Sequence, residues 1–209
     1  MSDVVQGSPE WLRARLGKVT ASRVADVIAK TKSGPSASRA NYAAQIIAER
    51  LSGEPQEAFI SGPMQWGIDN EQNAKDAYSF FCNVEVEPAS FVPHPTISES
   101  GASPDGYVGE DGLVEIKCPN TATHIDTLIN QRVPSAYITQ MQWQMACTDR
   151  TWCDFVSFDP RLPADMQVFV FRVNRDQAMI DTLEAEIVTF LAEVSEREAT
   201  LVRLYRSAA

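Results

Sequence analysis

Apolar spacing along the chain predicts helices at both ends and short strands between them. Ser8-Pro9-Glu10 has the form of an N-cap with proline in the first turn, so EWLRARL opens a short helix. VTASRVADVIAK sets Val24, Val27 and Ile28 on one face, with Thr20 or Ser22 at the helix start, where free backbone N–H groups favour an anion. After the polar loop KSGPSAS (32–38), Ala43, Ile46, Ile47 and Leu51 recur at helical spacing over roughly 39–52, and SGEP ends that helix. SGPM reads as a turn. QWGIDNEQNAKDAYSFFC then reads as a longer helix with Ile68, Ala74, Ala77, Tyr78 and Phe81 inward and Glu71 in its early turns.

From VEVEP onward the pattern shortens to apolar or alternating pieces cut by Gly and Pro: SFVPHP, GYVG and GLVEIK, the last two joined by the turn GEDG. A twisted antiparallel region is expected there. PSAYITQMQWQMAC (134–147) reads as helix, and TWCDFVSFD and MQVFVFRVN as strands. The order strand, helix, strand over 113–158 implies a right-handed crossover and a partly parallel central sheet. Ile180, Leu183, Ile187, Phe190, Leu191 and Val194 mark a long amphipathic helix over 176–206. No repeat or linker divides 1–209, so one α/β domain is expected.

With 44% apolar and 22% charged residues the chain has the makings of a full core. No apolar run approaches the roughly 20 residues of a membrane span, and MSDVVQGSPEW lacks the layout of a secretory signal, so a cytoplasmic protein is expected. Cys82, Cys118, Cys147 and Cys153 form no CxxC pair; they read as reduced, buried thiols, with a cluster site as the alternative. The net charge of −10 argues against nucleic acid, yet residues 1–40 carry seven basic residues (Arg13, Arg15, Lys18, Arg23, Lys30, Lys32, Arg39) against three acidic ones. A basic N-terminal segment on an acidic body has room for a phosphate on one side and metal ions on another.

The densest chemistry lies in GASPDGYVGEDGLVEIKCP (101–119). Strand period two puts Glu115 and Lys117 on one face with Ile116 turned away. If GEDG folds the preceding strand back, Asp105 comes alongside Glu115. Two close carboxylates need compensation, and a hard divalent cation such as Mg²⁺ or Mn²⁺ compensates best. Lys117, through its charge or a lowered pKa, would orient or deprotonate a water. The set is a layout for metal-assisted phosphodiester hydrolysis. On a solvated hairpin the same triple would be inert.

The SPDG…GLVEIKCP segment resembles the active-site signature of the PD-(D/E)xK nuclease superfamily, and most closely the family of phage lambda exonuclease. LRARLGKVTASRVADVIAK, Trp66-Gly67 with Glu71, SPDG, VEIKCP and YITQMQ (137–142) stand in the family's order across residues 11–145. The resemblance implies a restriction-endonuclease-like core, a central mixed β-sheet flanked by helices, with 1–40 as a 5′-phosphate-binding segment, 64–158 as catalytic core and 176–206 as C-terminal helix. It implies metal ligation by Asp105, Glu115, the Ile116 carbonyl and Glu71, and activation of the attacking water by Lys117. Gln140 would hold that water or Lys117. Arg15, Thr20, Ser22 and Lys32 match the 5′-phosphate pocket; lysine at 32 replaces an arginine and implies a weaker preference for phosphorylated ends. Met64 matches an apolar wedge that unpairs the duplex end, a core-facing methionine being the other reading. His94 and His124 match no role and read as structural. The implied activity is a Mg²⁺-dependent 5′-to-3′ exonuclease on double-stranded DNA. It would release mononucleotides and leave 3′ overhangs for phage or prophage recombination, as a homotrimer ring with a single-strand-annealing partner. The alternatives are an iron–sulfur nuclease of the same superfamily and a non-catalytic DNA-end-binding module.

Overall fold

The computed structural model describes residues 6–32, 34–56 and 61–206; residues 1–5 of the stretch read for a secretory layout, and Ser33 of the KSGPSAS loop, lie outside them. Helix α1 (Pro9–Arg15) starts as its cap signature predicts, with Ser8 Oγ accepting from the Trp11 amide. Strand β1 (Val19–Thr20) leads through a 3₁₀ turn (Ala21–Arg23) into α2 (Val24–Ile28) and the small hairpin β2 (Lys30–Thr31) and β3 (Gly34–Pro35). Helix α3 (Ala37–Ser52) is capped by Ser36 and stopped by Gly53 at φ 73°, a left-handed position that glycine fills without strain.

Helix α4 (Gly62–Cys82) begins inside SGPM: Ser61 Oγ accepts from the Met64 amide and Pro63 sits in the first turn, the same signature that starts α1. SGPM is therefore a helix start, not a free turn. Ala74 and Tyr78 are buried as expected, but Ile68 is 57% and Phe81 65% exposed. Ile68 falls on the side of α4 away from the Asn70–Ala74–Tyr78 stripe. At the end of the helix Val84 and Val86 take over the packing that Phe81 was expected to supply.

Next come β4 (Val92–Pro93), β5 (Ser100–Ala102), β6 (Gly106–Val108), β7 (Gly112–Lys117), α5 (Thr121–Asn130), α6 (Ser135–Thr148), β8 (Trp152–Phe158), β9 (Val168–Asn174) and α7 (Gln177–Tyr205). The main sheet has the order β6-β7-β8-β9, with β7 and β8 parallel and the outer pairs antiparallel. The expected crossover is present and runs through two helices. Helix α5 escapes hydrophobic spacing because its buried positions, His124 and Thr127, are polar. His124 bridges Ser157 Oγ (2.7 Å) and the Met166 carbonyl (2.9 Å). The region 84–117 is not one antiparallel sheet: β5 pairs parallel with β1 and antiparallel with β4 in a separate sheet, and VEVEP contributes one bridge, Glu87 to Tyr107.

The two faces of β7 meet different helices. Val114 and Ile116 pack with Ala74 and Tyr78 of α4, whereas Leu113 packs with Met141 and Met145 of α6. A further core joins α2, α3 and α7 around Val24, Ile46, Ile187 and Phe190, with Trp143 of α6 inserted. Among the described residues no helix is long and apolar enough to cross a membrane.

Gly106, the last residue of SPDG, fixes how closely β6 approaches its neighbours: a Cβ there would stand 2.3 Å from Val86 Cγ1 and 3.1 Å from the Glu87 carbonyl. Gly106→Ala should lower stability by about 1–3 kcal/mol in chemical denaturation; an unchanged midpoint would show that Val86 yields freely.

Candidate active site

The hairpin places the acids. Gly106 pairs with Val114 and Val108 with Gly112, so Asp105 arrives next to Glu115, and Asp105 Oδ2 accepts from the Ile116 amide at 2.6 Å. Gly109 turns the chain at φ 56°, and Arg150 Nη1 pins the turn through the carbonyls of Gly109 and Gly112, both at 2.7 Å.

Glu115 is 1% exposed, and such a carboxylate is tolerable only when its oxygens are satisfied. Lys117 Nζ and Gln140 Nε2 (2.6 Å) donate to Oε1, and Gln144 Nε2 donates to Oε2 at 2.6 Å. Gln140 thus acts on Glu115 rather than on Lys117. Lys117 also lies 5.1 Å from the Tyr137 ring centroid. Burial alone would lower its pKa, but the charges of Glu115 and Asp105 outweigh burial and the net shift is upward. The two carboxylates beside it favour the ammonium form of Lys117, which suits it to orient a water and to offset negative charge. Glu71 approaches from α4 with an ammonium of its own, Lys75, at 2.7 Å.

Asp105 has no ammonium or guanidinium partner among the described residues. Burial, then the Glu115 charge, push its carboxyl up to about 8, with Glu71 adding and Lys117 and the Ile116 amide opposing. These groups open on a cleft of about 480 Å³ lined by Met64, Ile68, Glu71, Asp105, Lys117 and Tyr137, among others. Cys118 lines it too; burial, then Glu71 and Asp105, hold its thiol up at about 12. Among the described residues no three His, Cys, Asp or Glu stand together as a preformed metal cage. The donor chemistry nonetheless fits a hard divalent cation: two adjacent carboxylates, one lacking a cationic partner, a third acid on the same cleft and the Ile116 carbonyl.

The N-terminal candidates come together in part. Thr20 Oγ1 and Ser22 Oγ lie 3.5 Å apart, and the Thr20 amide donates to the Tyr42 hydroxyl at 3.1 Å. Arg15 stacks on Trp11 at 3.8 Å; burial pulls its pKa down, with Tyr42 and Glu49 opposing. Trp11 Nε1 donates to Ser103 Oγ at 3.0 Å, joining this segment to SPDG. Lys32 is exposed in the β2–β3 turn, with no contact to Arg15, Thr20 or Ser22 among the described residues. The segment's basic character is largely spent inside the molecule: Arg13 pairs with Glu10, Arg23 with Asp26, Lys30 with Glu186 and Arg39 with Glu193. Arg15, Lys18 and Lys32 make no ion pair among the described residues.

Met64 is 51% exposed at the cleft rim, so the core-facing reading is excluded. His94 stacks on Trp143 at 4.6 Å with Glu184 3.2 Å from its Nε2, and His124 is tied as above; neither lines the cleft. The cysteines are free and lie in three separate clusters, Cys147 with the helical core, Cys153 on the α6 side of the sheet, and Cys82 and Cys118 on the α4 side, an arrangement that offers no single cluster site. Sequence reasoning missed Gln144, Lys75 and Tyr137; the four-residue spacings Gln140 to Gln144 and Glu71 to Lys75 were the signals available.

A model of the YqaJ-like viral recombinase domain matches residues 10–151. The chain belongs to this family. It is also a homologue of an alkaline exonuclease: the crystal structure of that enzyme from Laribacter hongkongensis is 50% identical, with TM-score 0.90 over 97% of this chain and 100% of the other. Its complex with dAMP is 49% identical at the same TM-score and coverage. A phage related exonuclease from Haemophilus somnus, 16% identical with TM-score 0.72 over 88% of this chain and 96% of its own, shares the fold. No protein with a curated description matches the chain. The mixed sheet flanked by helices is thus the fold of this family's exonucleases.

Asp105 should make metal-free stability depend on pH. Its folded-state pKa, about 8, lies above the ordinary carboxylate value of about 3.9, so folding favours the protonated form. Its stabilising effect is full below about pH 4 and is lost as pH rises through about 8. In a chelator, Asp105→Asn, which keeps an acceptor for the Ile116 amide, should be more stable than the unsubstituted protein at pH 8 and nearly equal at pH 4. Equal stability at both pH values would remove the assigned strain.

Proposed function

We propose that this chain is a Mg²⁺-dependent exonuclease that degrades one strand of duplex DNA from its 5′ end, releasing mononucleotides and leaving a 3′ single strand. The observation that carries the reading is that Asp105 and Lys117 line one cleft with the buried Glu115 hydrogen-bonded to Lys117 behind them, in a chain half identical to an alkaline exonuclease. Asp105, Glu115, Glu71 and the Ile116 carbonyl would hold the cation, Mg²⁺ or Mn²⁺, which supplies positive charge at the scissile phosphate. The chain's own groups do the rest. The Lys117 ammonium orients the attacking water by hydrogen bonding and offsets negative charge developing on the phosphate. Gln140 keeps Glu115 in place.

Arg15, Thr20 and Ser22, joined to SPDG through Trp11, form the pocket for the 5′-phosphate, and Lys32, exposed in the β2–β3 turn, would have to swing to it when the phosphate binds. Two hydroxyls and a guanidinium suit a phosphate monoester. Met64, exposed at the cleft rim, is the wedge at the duplex end. The viral-recombinase family supports a setting in phage-type recombination with a single-strand-annealing partner, the resemblance to lambda exonuclease implies a homotrimer ring enclosing DNA, and the free cysteines fit a cytoplasmic setting.

The test is a linear duplex labelled at the 5′ or the 3′ end, incubated with and without Mg²⁺ and with and without a 5′-phosphate. The 5′ label should leave first as mononucleotide, only with the metal, and Lys117→Ala should slow release about 10²–10⁴-fold. Arg15→Ala together with Ser22→Ala should narrow the difference between phosphorylated and unphosphorylated ends. Internal cuts overturn the exonuclease reading; end binding without cleavage points to a non-catalytic module.

A further inference from the structure

Glu115 is held by more than the residues assigned to it above. Gln140 and Gln144 stand one turn apart on α6, and their side-chain amides donate to opposite oxygens of the Glu115 carboxylate, each at 2.6 Å. Gln142, between them in sequence, turns elsewhere: its Nε2 donates to the Asn174 carbonyl and its Oε1 accepts from the Asp176 amide. Only the two glutamines spaced by four serve the acid. Gln144 is fully buried, and its Oε1 has Cys153 Sγ as a weak donor at 3.9 Å. An amide so placed is costly to bury unless its donor is used, and the donor is used on Glu115.

The two oxygens are not equivalent. Oε1 is shared by Lys117 and Gln140, whereas Gln144 is the sole donor to Oε2 among the described residues. With Gln140 alone the carboxylate could turn about its Cγ–Cδ bond around the shared oxygen. A second donor from the same rigid helix removes that freedom. We propose that Gln144 is a positioning residue for the metal centre: with Gln140 it brackets the buried Glu115 carboxylate and fixes its plane relative to Asp105 and Lys117. An outer partner of this kind sets how strongly a ligand carboxylate binds its cation without touching the cation or the DNA. The side chain at 144 must be a donor. A second acid there would face Glu115 Oε2 out of reach of water, and the pair could not both ionise.

This inference rests on the nuclease reading, and the experiment separates the two. Mn²⁺ binding to the whole protein is titrated by electron paramagnetic resonance without DNA, for the unsubstituted chain, Gln144→Met and Gln144→Leu, alongside thermal melting and metal-free binding of a duplex end. Methionine nearly conserves volume but cannot donate. Gln144→Met should keep its fold and bind the duplex end as before, while Mn²⁺ affinity falls about 10–100-fold. The metal concentration needed for half-maximal cleavage should rise in parallel, with the Michaelis constant for DNA unchanged. If Gln144→Met does not fold, Gln144→Leu carries the test: it too lacks a donor and should show the same loss of Mn²⁺ affinity. Affinity within twofold of the unsubstituted protein in the folded variant overturns the proposal and leaves Gln144 as core filling. Absence of Mn²⁺ binding and cleavage in the unsubstituted protein overturns the nuclease reading itself.

Discussion

One desolvated carboxylate organises the centre of this molecule. Glu115 lies on an inner strand with water removed from around it, a situation that costs several kcal/mol unless donors replace the lost hydration. Those donors come from Lys117, two positions along the same strand, and from two glutamines on a helix. The helix is available because β7 and β8 run parallel and the connection between them must cross the sheet; α6 is the second half of that connection. Topology and chemistry are therefore a single requirement. An antiparallel β8 could follow β7 through a tight turn, and Glu115 would then lack its cover.

The strand's two-residue period divides the work. Leu113, Glu115 and Lys117 face α6, with the polar pair at the cleft end and the leucine deeper in the core, while Val114 and Ile116 anchor α4. Through that anchor α4 brings Glu71 to the same opening from the other side. Asp105 arrives by a third route, the hairpin, whose register is set by Gly109 and pinned by Arg150. Two acids thus line one cleft, Asp105 and Glu71, with Glu115 buried beside it, and the sheet is what holds the three in relation.

Local features of this arrangement were legible in the sequence. The GEDG turn and the VEIK alternation fix a hairpin register, and register alone places Asp105 beside Glu115. The cap of α1 and the apolar stripe of α7 were equally readable. What sequence spacing hid were interior polar groups. Gln144 and His124 are buried because a partner from a distant segment satisfies them, and hydropathy counts both as surface residues. Helix α5 was invisible for that reason. The basic N-terminal segment misled in the opposite sense: Lys30 and Arg39 answer glutamates on α7, about 150 residues away, so much of the apparent surplus of positive charge is structural.

The charge balance of the cleft explains which acid is strained and what the site is suited to receive. Glu115 has Lys117 and Glu71 has Lys75, each an ammonium at ion-pair distance. Asp105 has a backbone amide and no cation, although it feels both other acids, and it is the carboxyl whose pKa is driven up. Of the three acids it is Asp105 that gains most from added positive charge. A phosphodiester entering beside an ionised Asp105 would meet net negative charge. Positive charge has to come with it, and adjacent carboxylates with a backbone carbonyl are the donor set that hard divalent cations prefer. Asp105, without a cationic side-chain partner among the described residues, is the acid whose charge state a cation bound there would change most.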